Sequence, residues 1–356
     1  MRKISLPLAC GVFLAVGCIA AAVARAESIP QATATRIINL APPSAEEKTP
    51  VISSVAIDQA GRFLAAVGDD HLVRIFDAQS GQIMHRWSSH TDWVKASMFQ
   101  PDGQLLATAG ADRRICLWTT TPGGQSHELS ESPQVIFALV YSPDGRTVAA
   151  AGFDDKVWMY DAETGQLLRE LVGPGSDIRA ISFSPDGSKI AAAGRTGSVC
   201  IWEAKSGRQV ANVQVSSRRI CALAHSPDGK LMAAAGQRRI VRLLDASTGK
   251  PLADLPERPG EVLSLCFCGP DTLASAGSGN VIHLWDLTTR QEKCSLVGHI
   301  GSITTLVYYA QTETLISGSY DTTVRLWDAK SQDREKLTQT QDAKQVTRRT
   351  GPARAD

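Results

Sequence analysis

A period of about forty-two residues runs through most of this chain of 356 residues and constrains its fold more than any other feature. A glycine follows a short Ala-rich apolar run seven times, at steps of 42, 42, 42, 42, 41 and 41 residues: Gly68, Gly110, Gly152, Gly194, Gly236, Gly277 and Gly318. A fixed period of this length indicates a repeat architecture, in which each unit packs against its neighbours. The period therefore outweighs the chain length, which alone would favour about two domains.

Each repeat contains short runs that alternate apolar and polar residues. In the fourth repeat these runs are 178–183, 189–193, 198–202 and 209–213. Turn residues separate the runs, and Pro-Asp-Gly recurs at four equivalent positions, where glycine tolerates a positive φ. Four short strands per repeat predict one antiparallel sheet. Because such a sheet cannot bury both of its faces alone, we expect seven sheets to stack radially into a ring.

Each repeat also carries an aromatic residue or leucine eight or nine positions after its glycine, usually followed by an acid. The stretch from His299 to Trp327 resembles a nearly complete WD repeat, and the stretch from His90 to Trp118 is a close second. This resemblance covers residues 33–328. It implies an all-β protein, a seven-bladed β-propeller of four-stranded antiparallel blades.

By this resemblance the blades comprise residues 51–90, 91–130, 131–175, 176–216, 217–257, 258–299 and 300–328. The family's hydrogen-bonded side-chain tetrad maps onto two blades: His90, Thr108, Asp112 and Trp118 in the second, and His299, Ser317, Asp321 and Trp327 in the last. Elsewhere the tetrad is degraded, since Pro174 stands where the histidine belongs and Leu244 replaces the tryptophan. We expect those blades to depend more on packing.

The two ends of the repeat region have different predicted roles. In this family the outermost strand of the last blade comes from the start of the chain. Residues 34–41 resemble the outer strands of other blades, so we expect them to pair beside the strand around Val324–Trp327 and remove the open edge. Residues 329–356 are polar and have no apolar period, which predicts a disordered tail.

Residues 1–26 have the composition of a secretory signal. A basic start precedes an apolar run from Ile4 to Ala24, and small residues surround a cleavage position after Ala26. We therefore expect an exported protein of bacterial type, periplasmic or secreted. The apolar run is also long enough to span a bilayer, so an uncleaved membrane anchor is the competing interpretation. Lipidation at Cys18 is a weaker alternative.

Charge and residue spacing disfavour several classes of function. The 37 basic residues nearly balance the 36 acidic ones, so no global field attracts nucleic acid or an anionic membrane. The seven histidines form no ligand-spaced cluster, and common catalytic and phosphate-binding motifs are absent from the sequence. We therefore expect no metal, no cofactor and no catalytic residue.

Six cysteines follow the leader: Cys116, Cys200, Cys221, Cys266, Cys268 and Cys294. In an exported protein an even number suggests disulfides. Cys221 and Cys266 lie on neighbouring innermost strands and could face each other. Buried free thiols are the favoured interpretation.

The repeat positions also define a candidate rim for partner binding, because in this family the loops that enter the first strand and link the second to the third commonly bind peptides. Counting by the period from Arg179 gives one ring of equivalent positions: Ser53, Lys95, Phe137, Arg179, Cys221, Leu263 and Thr304. The candidate rim residues are Trp93, Lys95, Phe137, Phe153, Arg179, Arg195, Arg219, Arg238 and Tyr320. Arginine and aromatic residues are typical of interface hot spots, and the basic sector favours an acidic or carboxylate-bearing partner.

These features predict a non-enzymatic scaffold for protein–protein interaction, either monomeric or part of a hetero-complex. Two alternatives remain open. One is a carbohydrate- or cell-wall-binding propeller, in which Trp93, Phe137 and Phe153 would stack on sugars. The other is a propeller enzyme or enzyme subunit with a site at the channel mouth. The fold itself does not decide between them, since propellers serve many functions.

Overall fold

The protein was described by a computed structural model that covers residues 29–40, 49–88, 90–120, 126–132 and 134–329. These residues form seven sheets, and they contain β-strands and no helix. The seven-bladed, all-β propeller predicted from the sequence is thereby confirmed. The predicted leader over 1–26 and the predicted tail beyond Ala329 lie outside the described residues.

The strands follow one another in a regular order. The start of the chain contributes β1 (Gln31–Ala32) and β2 (Arg36–Asn39). Blades one to three consist of β3 (Ile52–Ile57), β4 (Phe63–Gly68), β5 (Leu72–Asp77) and β6 (Ile83–Ser88); β7 (Val94–Phe99), β8 (Leu105–Gly110), β9 (Arg114–Thr119) and β10 (Ser126–Glu131); and β11 (Ile136–Tyr141), β12 (Thr147–Gly152), β13 (Lys156–Asp161) and β14 (Leu167–Val172).

Blades four to seven repeat the pattern. They consist of β15 (Ile178–Phe183), β16 (Lys189–Gly194), β17 (Ser198–Glu203) and β18 (Gln209–Gln214); β19 (Ile220–His225), β20 (Leu231–Gly236), β21 (Arg242–Asp245) and β22 (Pro251–Asp254); β23 (Val262–Phe267), β24 (Thr272–Gly277), β25 (Ile282–Asp286) and β26 (Gln291–Leu296); and β27 (Ile303–Tyr309), β28 (Thr314–Ser319) and β29 (Thr323–Asp328). The first strands of adjacent blades lie side by side around the central channel.

The core of the described protein consists of apolar clusters that each lie between two adjacent blades. The Ala-rich second strands are buried because small side chains let neighbouring sheets approach; Ala191, Ala192 and Ala193 of β16 have no exposed surface. One cluster joins blade seven to blade one and completes the circle. A closed ring leaves no terminal blade with an exposed apolar face.

The start of the chain closes this ring. β2 pairs antiparallel with β29, as predicted for residues 34–41, although Ala41 lies outside the described residues. Ile38 and Leu40 are buried in the cluster between blades seven and one. The guanidinium of Arg36 donates hydrogen bonds to the carbonyl oxygens of residues 78–80 in blade one. The segment therefore connects the last blade to the first.

A short strand before this segment was not predicted. β1 adds a fifth, parallel strand to blade six, beside β26. The N–H groups of Ser295 and Val297 donate to the carbonyl oxygens of Pro30 and Ala32, both at 2.9 Å. A two-residue strand has no periodic signal, so the predicted closing segment begins at residue 34 and does not include β1. Residues 29–40 thus contact blades six, seven and one.

The periodic glycine stands where two backbone segments touch. A Cβ built on Gly194 would lie 2.2 Å from the carbonyl oxygen of Asp177, in the loop that enters the same blade. Equivalent glycines in five other blades have the same contact at 1.7–2.3 Å: Gly68, Gly110, Gly152, Gly236 and Gly277. This contact holds the loop before the first strand against the end of the second strand. The candidate rim consists of this loop and of the loop that follows the second strand.

The last blade contains a continuous chain of four hydrogen-bonded side chains. Nδ1 of His299 lies 2.7 Å from the Asp321 carboxylate, and its Nε2 lies 2.7 Å from the Ser317 hydroxyl. Trp327 Nε1 donates to the same hydroxyl at 2.9 Å. Burial lowers the pKa of His299 against the opposing effect of Asp321. A neutral imidazole completes every bond, because Nδ1 donates to Asp321 while Nε2 accepts from Ser317.

The second blade repeats this arrangement. His90 lies 2.7 Å from both Asp112 and the hydroxyl of Thr108, and Trp118 Nε1 donates to that hydroxyl at 2.7 Å. The Thr108 hydroxyl is therefore hydrogen-bonded to two buried side chains, those of His90 and Trp118.

Blade six has a different buried network in place of the tetrad. By repeat spacing, Arg258 stands where the histidine belongs, and its guanidinium lies 5.3 Å from the ring centroid of Trp285. Arg258 Nε and His283 Nδ1 contact the two carboxylate oxygens of Glu292. Burial raises the pKa of Glu292, but hydrogen bonds from His283, Ser295 and Arg258 outweigh it and lower the pKa to about 2. Blade six thus has an ionic network where the motif is degraded, while Trp285 Nε1 still donates to the Ser275 hydroxyl at 2.8 Å.

Candidate functional site

Every first strand contains a β-bulge at the same position. The register with the second strand shifts across a single residue that has no partner there. These seven bulge residues are the ring selected by repeat spacing: Ser53, Lys95, Phe137, Arg179, Cys221, Leu263 and Thr304. A bulge re-aims a side chain out of the regular pleat. All seven side chains line one cavity of about 260 Å³ at the end of the central channel, here named the mouth.

The structure distributes the predicted rim residues between the mouth and its surroundings. Those that line the mouth are Trp93, Lys95, Phe137, Arg179, Arg219 and Tyr320. Phe153 lies beside it, edge-on against Phe137 with ring centroids 4.8 Å apart. Arg195 and Arg238 are exposed outside it. Gln237 and Glu261, which were not among the candidate rim residues, complete the lining.

Lys95 lies on the face of an aromatic ring. Its ammonium group is 2.9 Å from the centroid of Trp93, whose ring in turn lies 6.4 Å from that of Tyr320. Burial and repulsion by Arg179 lower the pKa of Lys95 to about 8, against the opposing effect of two nearby aspartates. The indole N–H of Trp93 is buried and has no hydrogen-bond partner within the described part of the chain. The lining of the mouth therefore contains a buried donor that has no acceptor in the described residues.

Arg179 is held in place from two sides. Its guanidinium lies 3.6 Å from the centroid of Phe137 and 5.2 Å from that of Phe153. Its Nε donates to one carboxylate oxygen of Asp177, and the other oxygen pairs with Nη2 of Arg219 at 2.9 Å. Stacking and ion pairing together fix the plane of the guanidinium.

Asp177 was not selected as a candidate rim residue, but the structure pairs it with two residues that were, Arg179 and Arg219. It is buried in the loop that enters blade four and has a φ of 64°, a left-handed conformation that aspartate adopts more readily than most residues. Because its carboxylate binds both Arg179 and Arg219, the predicted basic sector is less positive than a count of arginines suggests. Repeat spacing gives its position, but no one-dimensional pattern signals the pairing.

Cys221, the bulge residue of blade five, lines the mouth as a free thiol. All six cysteines named above are free, so Cys221 and Cys266 are not joined in this structure. Burial and the nearby Glu261 raise the pKa of Cys221 to about 11. At neutral pH this thiol is protonated and contributes no charge to the mouth.

Two other kinds of site are absent from the described residues. Within them, no three His, Cys, Asp or Glu side chains are placed to bind a metal ion. The same ranges contain no helix that is long and apolar enough to cross a membrane. The mouth combines cations, aromatic rings and unpartnered N–H groups, an arrangement that suits the binding of an anionic group.

Comparison with known proteins identifies the repeat. A family model described as "WD domain, G-beta repeat" matches residues 44–77, 81–119, 123–161, 165–203 and 290–328, more than half of the chain. The unmatched stretch between them contains Leu244 and Arg258, which replace the tryptophan and histidine of the motif. A U3 snoRNP-associated protein-like protein of Arabidopsis thaliana is 40% identical over 57 residues, which cover 16% of this chain and 12% of that protein.

Proposed function

Because the chain belongs to the WD-repeat family, we propose that it is an exported, non-enzymatic scaffold that binds an acidic segment of a partner protein at the mouth and the surrounding rim. Propellers of this family generally bind proteins. The observation that carries the proposal is the ring of bulge residues, which brings Lys95, Phe137 and Arg179 into one concave site. Arginine and aromatic side chains gathered in a cavity are typical of binding hot spots.

The charges around the mouth favour an acidic partner. Lys95, Arg179 and Arg219 line the mouth together with one carboxylate, that of Glu261, while Asp177 lies behind the arginines and Asp69 and Asp92 lie near Lys95. Within the lining itself the three cations outnumber the single carboxylate. Complementary charge accelerates association and selects among partners.

The positions of the cations also favour a protein partner over a carbohydrate. A sugar ring stacks on an open aromatic face. Lys95 covers one face of Trp93, and Arg179 covers one face of Phe137.

Export is supported by the composition of residues 1–26, with an uncleaved membrane anchor as the alternative. The name of the Arabidopsis relative refers to a ribonucleoprotein, but the shared 57 residues span little more than one repeat. The near balance of basic and acidic residues supports a protein partner rather than RNA.

Charge reversal tests the binding site. We expect a variant with Arg179, Arg195 and Arg219 all replaced by glutamate to lose capture of the native partner by about 100-fold or more, since hot-spot residues each contribute about 2 kcal/mol. The measurement is affinity capture followed by quantitative mass spectrometry. A variant with Lys230→Glu and Lys250→Glu, at the opposite end of the strands, is the matched control and should capture the partner normally. Undiminished capture by the triple variant would place the interface on another face.

Binding should also weaken with rising pH. The pKa of Lys95 is lowered to about 8 in the free protein, so its ammonium is largely charged at pH 7 and largely neutral at pH 9. If the charged form binds, the affinity falls by up to about tenfold over this range. Titration of the purified partner at several pH values measures the effect. The variant Lys95→Arg stays charged and should remove this dependence; an unchanged pH profile in that variant would contradict a role for Lys95.

A further inference from the structure

One arginine in the mouth has a free hydrogen-bonding edge. The Nε of Arg179 donates a hydrogen bond to Asp177, and one face of its guanidinium stacks on the ring of Phe137. Its terminal nitrogens, Nη1 and Nη2, have no hydrogen-bond partner among the residues the structure describes. Two parallel N–H groups held in a plane match the two oxygens of a carboxylate. The side chain is therefore oriented for a ligand before the ligand arrives.

A second cation faces the same cavity from the other side of Phe137. Lys95, at the bulge of blade two, lies on Trp93 and forms no ion pair within the described ranges. An aromatic face attracts an ammonium group but does not neutralise its charge. Lys95 and Arg179 repel each other across the cavity, and Asp92 and Asp69 near Lys95 offset part of this repulsion. An anion placed between them would bind both cations and remove the repulsion.

Unpartnered donors give an independent indication of the same ligand. Nε1 of Trp93 and Nε of Arg219 are buried, and neither has an acceptor in the described protein. An unsatisfied buried donor costs about 1–3 kcal/mol. Two residues of the lining thus each carry an unsatisfied donor, which favours a ligand that brings acceptor oxygens.

We propose that the mouth is a carboxylate-binding site, in which Arg179 binds the two carboxylate oxygens and Lys95 forms a second charge-assisted hydrogen bond. This inference rests on the proposed function, because it states how the acidic partner segment is held. The cavity of about 260 Å³ is smaller than the 300–1,000 Å³ typical of small-molecule pockets. It suits one acidic side chain or a chain terminus, with Phe137 and Tyr320 packing against the neighbouring residues of the partner.

Asp177 acts in this account as a positioning residue. The variant Asp177→Asn keeps a residue type that tolerates the φ of 64° but loses the charge that holds the two arginines. The net positive charge of the mouth rises in this variant, so simple attraction would strengthen the binding of an anion. Positioning predicts the opposite, a weakening of about three- to tenfold. Equal or tighter binding by Asp177→Asn would overturn the positioning role.

Three short peptides test the ligand class by isothermal titration calorimetry: acetyl-Gly-Phe-Glu-Gly-amide, its glutamine analogue, and acetyl-Gly-Phe-Gly with a free carboxyl terminus. We expect the glutamate peptide, the free terminus or both to bind at least tenfold more tightly than the glutamine peptide. Whichever binds identifies the source of the carboxylate. Arg179→Lys, which keeps the charge and loses the paired donors, should weaken binding about tenfold, and Lys230→Glu should leave it unchanged.

If the glutamine peptide binds as tightly as both carboxylate-bearing peptides, the carboxylate site is overturned. Unchanged peptide binding by Arg179→Lys would overturn it as well. Its failure can be separated from failure of the proposed function. If the peptides bind as expected while the triple charge-reversal variant still captures the partner, the site stands and the proposed function is wrong. If capture depends on Arg179 while no peptide shows a preference for carboxylate, the proposed function stands and the carboxylate site is wrong.

Discussion

Replacing both Ile38 and Leu40 by alanine should lower the free energy of unfolding by about 4–10 kcal/mol, because each buried aliphatic side chain contributes about 2–5 kcal/mol. The two side chains are 7% and 3% exposed and lie in the seam between blades seven and one. No other segment of the described chain fills this seam from outside the repeats. Urea denaturation followed by tryptophan fluorescence measures the loss.

The same strand supplies the control. Ile37 is 48% exposed on the opposite face of β2, so Ile37→Ala should change stability by less than about 0.5 kcal/mol. Hydrogen exchange should also accelerate first in β29 and β3, which border the seam, when the buried pair is replaced. Equal stability of the two variants would mean that the start of the chain does not close the ring.

Thr108→Val should destabilise the protein by about 2–6 kcal/mol although the two side chains have nearly the same shape. The Thr108 hydroxyl is hydrogen-bonded to Nε2 of His90 and accepts from Nε1 of Trp118, both at 2.7 Å. Valine leaves both groups buried and unpartnered, and each costs about 1–3 kcal/mol. The measurement is the midpoint and slope of urea unfolding.

Serine at the same position separates the hydroxyl from the methyl group. Thr108→Ser keeps both hydrogen bonds and reproduces the residue found at position 317 of the last blade. Its loss should be limited to about 1 kcal/mol for one buried methyl group. If Thr108→Ser is as damaging as Thr108→Val, packing rather than hydrogen bonding holds this blade together.

The sequence predicts the architecture well because the period is itself a product of the fold. Each blade must present the same contacts to its neighbours, so the glycine at 194 and its equivalents recur wherever a loop carbonyl touches the second strand. The closing role of residues 34–41 is implied by the resemblance to the WD-repeat family together with their likeness to the outer strands, and the pairing of β2 with β29 confirms it for residues 36–39. Repeat spacing also selects the seven positions that the structure places at bulges in the mouth.

Other features depend on partners that only the folded chain brings together. The pairing of Asp177 with Arg179 and Arg219 joins two blades, and no periodic signal marks it. In blade six, the buried network around Glu292 consists of residues that differ from those of the motif. The sequence therefore shows that the motif is degraded but does not predict the network. In both places, the local charge depends on contacts between residues that are distant in the sequence, and the residue types alone do not predict these contacts.

Site-specific photo-cross-linking tests the central claim most directly, namely that the mouth of the closed ring is the docking surface. A photoreactive phenylalanine analogue is introduced at Phe137 in one protein and at Lys230, on the turn at the opposite end of the strands, in another. We expect irradiation to attach the partner at position 137 and not at position 230. Attachment at position 230 alone would contradict the account, since the partner would then occupy the other face of the propeller.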